Sequence, residues 1–348
     1  MTRRIKVGSV DMGGGAPVSI QSMLKADIFD TGKIEIQLMQ LKDAGCDIVR
    51  VAVPNMDAAG ELSRIKNMAP MPVVADIHFD WKLAVRACEA GVDKIRINPG
   101  NIGSADGVKA VATACKERGI PIRIGVNSGS LEKQALQRCG GDRVQAMVDS
   151  ALVQAEMLEE YGFSDICISL KSSGVAETIR ANRMLSQKCD YPVHIGVTEA
   201  GTVRAGTLKS AIGIGALLCE GIGDTVRVSL TDEPWKEVEA AKDILDAVGV
   251  RRKGVNLISC PTCGRTRIDL FSLVKQVEDA LGKLEVHGLT VAVMGCVVNG
   301  PGEASHADYG IAGGEDCGVI FAKGKIIEKL PQDKLAEGLI DLIRKENK

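Results

Sequence analysis

The chain has 348 residues, 45% of them hydrophobic and 25% charged, with 39 glycines and a formal net charge of −2. That length suits a barrel of roughly 200 to 250 residues plus a smaller domain, and the composition is that of a globular α/β protein rather than a disordered or fibrous one. A near-neutral charge exerts no long-range pull on a polyanion, and 3% aromatic content supplies few stacking platforms, so no nucleic acid partner is expected.

No charged leader followed by an apolar stretch opens the sequence, and no run of about 18 apolar residues occurs, so the chain is expected to be cytoplasmic, with no membrane association. Eleven cysteines in such a chain read as free thiols and metal ligands rather than as a disulfide framework. Seven of them, Cys46, Cys88, Cys115, Cys139, Cys167, Cys189 and Cys219, are scattered singly and read as structural, since buried free cysteine packs as a small hydrophobe.

From Pro17 to Leu230 short β-rich runs alternate with longer helical stretches, the pattern of parallel βαβ units. In chain order the runs are VSIQSM (18–23), DIVRVAV (47–53), PVVADIH (72–78), DKIRINP (93–99), PIRIGVN (121–127), DICISLK (165–171), PVHIGVTE (192–199) and DTVRVSL (224–230). Several follow Ala-Gly or Glu-Gly, as in AGCD and AGVD, where a helix ends at glycine and turns into a strand. Eight such units predict a TIM (β/α)8 barrel. After Leu230 the pattern changes. DEPWKEVEAAKDILDAVG predicts a helix, and RRKGVNLISCPTCGRT opens a new alternation of helices and strands. A boundary near 250–258 then divides the chain into a barrel over 1–250 and a smaller α+β domain over 251–348.

Side chains alternate across a strand, so each run has two faces. One is apolar: Val49 and Val51, Ile95 and Ile97, Ile122 and Ile124, Ile166 and Ile168, Val226 and Val228. The other carries Gln21, Arg50, Asp76 and His78, Arg96 and Asn98, Arg123 and Asn127, Ser169 and Lys171, and Arg227. If the apolar face meets the outer helices, the polar set points into the lumen. Inward arginines and a lysine are costly to desolvate unless anions balance them, and a phosphate is the natural balance, because guanidinium offers a planar fork of donors. The alternative is a structural ion network with inward carboxylates such as Asp76 and Glu199. NPGNIG (98–103) could present backbone N–H groups to an anion, although most such glycine loops are plain turns. KSSG (171–174) and TEAG (198–201) each end a strand with an ionisable group beside small residues.

In the second domain CPTC sets Cys260 and Cys263 at a spacing that brings two sulfurs to one metal centre. Cys296 in GCVVNGPGE supplies a third thiolate, and Glu303 lies beyond an NGPG turn that can fold it back. Zinc would want a fourth soft ligand, for which Cys317 is available; a dithiol redox pair is a further alternative. Three thiolates with one carboxylate favour an iron-sulfur cluster whose fourth iron is distinctive.

Together VSIQSM, DIVRVAVP, ADIHF, RINPGNIG, RIGVNSGSL, SLKSS, TEAG, GIGDTVRVSL, CPTCGR and GCVVNGPGE, in this order and over nearly the whole chain, resemble the bacterial 4-hydroxy-3-methylbut-2-enyl diphosphate synthases of the methylerythritol phosphate pathway, in their two-domain form. The resemblance implies a barrel joined to an iron-sulfur domain. It implies reductive opening and dehydration of 2-C-methyl-D-erythritol 2,4-cyclodiphosphate, with electrons from reduced flavodoxin or ferredoxin passing through a 4Fe-4S cluster. It also implies a homodimer in which one subunit's cluster domain closes over the other's barrel. Matching positions assign the cluster to Cys260, Cys263, Cys296 and Glu303, the diphosphate to Arg50, His78, Arg96, Asn98, Arg123, Asn127 and Lys171, and acid chemistry to Glu199. Two readings compete with it: a pterin- or corrinoid-linked methyl-transfer barrel, which does not account for so many inward arginines, and a non-catalytic zinc-stabilised binding module.

Overall fold

The computed structural model describes residues 1–347 except 99–101, 103, 252–253, 285, 287, 297–303 and 305. It divides into two compact units, Met1–Arg251 and Arg252–Lys348.

The first unit opens with an antiparallel hairpin, β1 (Ile5–Val7) and β2 (Val10–Met12). Eight parallel strands follow: β3 (Ser19–Met23), β4 (Ile48–Ala52), β5 (Val73–Asp76), β6 (Lys94–Ile97), β7 (Ile122–Asn127), β8 (Ile166–Lys171), β9 (His194–Ile195) and β10 (Thr225–Val226). They are ordered β8-β7-β6-β5-β4-β3-β10-β9. A bridge between Ile168 and Val193, with the Ile168 N–H donating to the Pro192 carbonyl at 2.9 Å, joins β8 to the start of β9 and closes the ring. The helices between and after the strands are α1 (Thr31–Ala44), α2 (Met56–Met68), α3 (Trp81–Glu89), α4 (Ala105–Arg118), α5 (Lys133–Arg138), α6 (Arg143–Glu160), α7 (Val175–Lys188), α8 (Val203–Cys219) and α9 (Pro234–Ala247). This is a TIM barrel, as the eight runs predict.

Local chemistry sets the helix ends. Asp30, Asn55 and Ser104 accept the N-terminal amide hydrogens of α1, α2 and α4, satisfying donors that have no partner inside the helix. Gly45 and Gly119 take left-handed φ of 88° and 63° at the far ends of α1 and α4, where a Cβ would be strained. The apolar strand face predicted to lie outside does so: Val49, Val51, Ile95, Ile97, Ile122, Ile124, Ile166, Ile168, Val226 and Val228 pack in one core with helix residues such as Leu38, Leu62, Val111 and Met147.

The last two barrel strands are shorter than the runs at 192–199 and 224–230 suggest. Gly196 passes so close to the Arg227 carbonyl that a Cβ would come within 2.4 Å. Beyond it the chain turns at Thr198–Glu199, where Glu199 holds a left-handed φ of 51°.

The hairpin closes the amino-terminal end of the barrel. Its Ile5, Val7 and Met12 cluster with Ile48, Val74 and Cys167, inward residues near the starts of β4, β5 and β8. Lys94 is in register with Val74, yet it is 0% exposed and its ammonium nitrogen has no hydrogen-bond partner. Burial, with Arg123 and Arg50 adding to it against the pull of Cys167, brings its pKa down to about 7.

The second unit is one five-stranded sheet, β11 (Asn256–Ser259), β12 (Thr290–Met294), β13 (Tyr309–Ala312), β14 (Cys317–Ala322) and β15 (Lys325–Pro331), with the first three parallel and the rest antiparallel. Leu273 and Val277 of α10 (Leu270–Leu281) and Leu339 and Ile343 of α11 (Leu335–Glu346) bury one face against Val291, Val293, Ile311 and Ile320. Ala292, Met294, Ala312 and Phe321 form a smaller cluster on the other face.

Lys94 makes a stability prediction with a definite sign. Its native pKa lies below the unfolded value of about 10.4, so between about pH 7 and pH ~10 the unfolded chain binds more protons and the fold gains stability as pH rises; the penalty is complete below about 7. Lys94→Met is expected to stabilise the barrel by about 1–4 kcal/mol at neutral pH and to flatten that slope. Urea unfolding at several pH values, read by the fluorescence of Trp81 and Trp235, the chain's two tryptophans, checks it; an unchanged slope refutes it.

Candidate functional site

The carboxyl ends of the barrel strands surround a cavity of about 90 Å³ whose lining includes Arg50, Asp76, His78, Arg96, Arg123, Asn127, Lys171 and Arg227. Asp76 stands between two arginines, with Arg50 Nε at 3.3 Å and Arg96 Nη1 at 3.1 Å. Burial opposes its ionisation, but Arg50 and Arg96 outweigh that and hold its carboxyl down at about 2. The Arg96 guanidinium lies over Gly125 of β7, where a Cβ would come within 2.5 Å of Nε. Arg227 is paired with Glu237 of α9 at 3.3 Å. That fully buried carboxylate also accepts from the Ser22 hydroxyl at 2.9 Å and the Leu230 N–H at 3.1 Å, and pairs with Lys25 at 3.1 Å.

Arg123 is different. It is 2% exposed, and among the described residues it pairs with no carboxylate; its Nη1 lies 3.0 Å from His194 Nδ1, and its Nε, like that of Arg96, has no partner. Lys171, also buried, faces His194 Nε2 at 2.9 Å. Among the described residues six cationic side chains, Arg50, Lys94, Arg96, Arg123, Lys171 and Arg227, thus stand in the lumen against two carboxylates, Asp76 and Glu237. The structural network read as an alternative exists around Asp76, but it does not consume the cations. Glu199 takes no part in it: the residue is exposed, in the turn past β9, and does not line the cavity.

Of the other residues assigned here, His78 sits half exposed at the mouth with Nε2 3.9 Å from Asp76. Burial, with Arg96 and Arg50, keeps it below its ordinary pKa against the pull of Asp76. Asn98 is buried just past the end of β6, outside the cavity lining, and Pro99, Gly100, Asn101 and Gly103 of the NPGNIG segment lie outside the described residues. In KSSG, the Ser172 hydroxyl donates to Glu177 at 2.6 Å and receives from Ser128 at 3.1 Å, tying β8 to α7 and to the turn after β7.

Lys94, His194 and Glu237 are absent from the sequence-based site. The first two obey the same alternation as their neighbours: Lys94 precedes Arg96 by two residues, and His194 precedes Gly196 and Thr198. Glu237 belongs to a helix, and the packing of α9 on β3 is what brings it under the lumen.

In the second unit Cys260 follows β11 directly and Cys296 follows β12 after Gly295, so adjacent parallel strands bring both to one end of the sheet. Cys260, Cys263 and Cys296 line one cavity of about 180 Å³. The Gly295 N–H donates to the Cys260 sulfur at 3.3 Å, and Thr262, with a left-handed φ of 52°, bends the loop between the paired cysteines. A hydrogen bond from the Arg265 backbone lowers the pKa of the Cys263 thiol. Three thiols on one cavity, one with its pKa lowered and one already accepting an N–H, fit the donor chemistry of an iron-sulfur group. No three His, Cys, Asp or Glu side chains are grouped as a ready metal site among the described residues, and Glu303 lies outside them. Cys317 opens β14 and does not line the cavity. Of the seven scattered cysteines, Cys46, Cys88, Cys115 and Cys167 are buried as packing residues, whereas Cys219 is exposed at the end of α8.

Solved structures similar to the first unit share its fold at low identity. A truncated 3-deoxy-D-arabino-heptulosonate 7-phosphate synthase from Thermotoga maritima matches with a TM-score of 0.52 at 15% identity, over 72% of this chain and 94% of that one. A 7,8-dihydropteroate synthase from Vibrio fischeri matches with a TM-score of 0.50 at 11% identity, over 71% and 97%. Curated relatives are far closer in sequence. Proteins named 4-hydroxy-3-methylbut-2-en-1-yl diphosphate synthase (flavodoxin) are 54% identical over 99% of this chain and 97% of the relative in Geobacter sulfurreducens, and 55% identical over 98% of each in Clostridium perfringens. The GcpE TIM-barrel domain matches residues 2–242 and the GcpE C-terminal domain residues 256–345, and the chain belongs to the GcpE family.

Proposed function

We propose that this chain is a 4-hydroxy-3-methylbut-2-en-1-yl diphosphate synthase, an iron-sulfur oxidoreductase that opens 2-C-methyl-D-erythritol 2,4-cyclodiphosphate by two-electron reduction with loss of water, taking its electrons from reduced flavodoxin. The observation that carries this reading is the buried excess of cationic groups in the lumen, which a diphosphate neutralises. Arg50, Arg96, Arg123 and Lys171 hold the diphosphate by charge-assisted hydrogen bonds, while His78, Asn98 and Asn127 add neutral ones. Glu199 delivers a proton to the departing hydroxyl, which is a poor leaving group unaided. Cys260, Cys263, Cys296 and Glu303 hold a 4Fe-4S cluster, which supplies single electrons when bound. A homodimer in the cytoplasm belongs to the same proposal, as does the division of labour between a substrate barrel over 1–250 and a cluster domain over 251–348.

Anaerobic turnover of the cyclodiphosphate with a chemical reductant tests the function, with identification of the diphosphate product as the readout. Cys260→Ser, Cys263→Ser and Cys296→Ser are each expected to lose iron, sulfide and activity, and Cys317→Ser to keep all three. A colourless zinc protein that leaves the cyclodiphosphate intact would refute the assignment.

Because Arg123 has no carboxylate partner among the described residues, Arg123→Ala orphans no anion and is expected to fold normally. Loss of a charge-assisted bond worth about 1.5–3 kcal/mol weakens cyclodiphosphate binding by about ten- to a hundredfold, with iron content unchanged. Calorimetry showing unaltered affinity would contradict the binding role.

Glu199→Gln keeps size and hydrogen bonding but cannot donate the proton, so kcat is expected to fall about 10²- to 10⁴-fold with substrate affinity and cluster content retained. A near-normal kcat would assign proton delivery to another group.

A further inference from the structure

The imidazole of His194 is fully buried, with Arg123 Nη1 at 3.0 Å from Nδ1 and 3.3 Å from Nε2, and Lys171 Nζ at 2.9 Å from Nε2. An atom this close to both ring nitrogens cannot lie in the ring plane, because there it would collide with the Cε1 carbon between them. Arg123 Nη1 therefore stands over the face of the ring, while Lys171 meets it at Nε2. The other arginines of the lumen are held by carboxylates, Arg50 and Arg96 by Asp76 and Arg227 by Glu237. Arg123 has no carboxylate among the described residues and lies against a ring instead. The difference has a physical consequence. A carboxylate fixes a guanidinium and cancels its charge, whereas a neutral aromatic face fixes it by stacking and leaves the charge whole. Burial, with Lys171 and Arg123, keeps His194 well below its ordinary pKa, so the face under Arg123 is a neutral one.

We propose that His194 is a positioning residue for the anion site: its ring face is the platform that holds the Arg123 guanidinium in place with its charge uncancelled, set for the cyclodiphosphate. This rests on the barrel binding a diphosphate, as argued above. The neighbours of Arg123 show why a platform is needed. Arg96 is its register partner on β6, and the Arg96 guanidinium reaches over Gly125, two residues along β7 from Arg123, so that the two like charges bear on each other. Repulsion of that kind turns an unheld side chain away. An arginine free to swing also gives up that freedom when it grips a ligand, whereas one already pressed on a ring does not. The ring itself is placed by β9, where His194 is in register with Thr225 of β10 and Gly196 follows two residues later. Gly196 leaves room for the Lys171 head, 3.0 Å from where a Cβ would stand, and so for the contact at Nε2.

The test is a double-mutant cycle on cyclodiphosphate affinity, read by anaerobic calorimetry of the holoenzyme, with His194→Leu and Arg123→Ala as the two changes. Leucine fills the space without an aromatic face, and whatever is lost at Lys171 is common to both backgrounds and cancels. His194→Leu is expected to weaken binding about ten times more with Arg123 present than in Arg123→Ala. A ring that merely fills the core would cost the same in both backgrounds, to within about twofold. His194→Phe restores a face, so it is expected to bind more tightly than His194→Leu beside Arg123 and no more tightly in Arg123→Ala. Equal costs in the two backgrounds, or a Phe variant no better than the Leu variant beside Arg123, would each overturn the inference while leaving the proposed function standing. Absence of any binding heat in the unsubstituted protein would overturn the diphosphate reading itself and this inference with it. If His194→Leu fails to fold, His194→Met takes its place in the same cycle, and the same outcomes decide the matter.

Discussion

A surplus of positive charge, buried where water is scarce, is the constraint around which the barrel is organised. Two like charges 4 Å apart repel by about 4 kcal/mol at the effective dielectric of a protein site, and the lumen places six cationic residues within a few strands of one another. The local structure reads as a set of responses to that repulsion. Asp76 is shared between Arg50 and Arg96, Gly125 lets a guanidinium lie flat on the backbone, and a helix carboxylate, Glu237, reaches in to cancel Arg227. What remains uncancelled is concentrated on Arg123, Lys171 and Lys94. The fold tolerates this because the outward strand faces and the helices bury a large continuous apolar core, which offsets a local electrostatic cost.

The two units share one architectural habit despite their different sheets. In the barrel the cationic residues stand toward the carboxyl ends of parallel strands, and in the smaller unit Cys260 and Cys296 follow the carboxyl ends of β11 and β12. Parallel strands end together on one edge, and the loops leaving that edge are free to carry chemistry while the strands hold their spacing. The Gly295 N–H aimed at the Cys260 sulfur shows the same principle at the scale of one atom, a backbone donor fixed by the sheet and turned toward an electron-rich sulfur.

Much of this was legible from period-two alternation. It separated the apolar strand face from the polar one and placed Arg50, Arg96, Arg123 and Lys171 inside, because a strand's side-chain period is fixed by geometry. The same rule, applied one step further down each strand, reaches Lys94 and His194. Glu237 was beyond it, since a helix residue enters the lumen's electrostatics only through the way α9 packs across β3. The lengths of β9 and β10 were also hidden: nothing in PVHIGVTE announces that Gly196 approaches the Arg227 backbone or that Glu199 adopts a left-handed turn. The cysteine spacing pointed to a shared centre for Cys260, Cys263 and Cys296 and left Cys317 open as a zinc ligand, which the structure places off their cavity, while Glu303 rests on spacing and resemblance, outside the described residues.

The hairpin that packs Ile5, Val7 and Met12 against Ile48, Val74 and Cys167 closes one end of the barrel, so that among the described residues the lumen is a blind chamber whose doorway is at the carboxyl ends of the strands. Traffic through such a chamber is sequential: a product molecule leaves by the route the next substrate uses, and crowding at the entrance cannot push it out from behind. High substrate concentration therefore does nothing to hasten departure, and a product with a diphosphate group is by its nature a competitor for the vestibule. In a vessel with one door, the occupant has to let go before the next can enter.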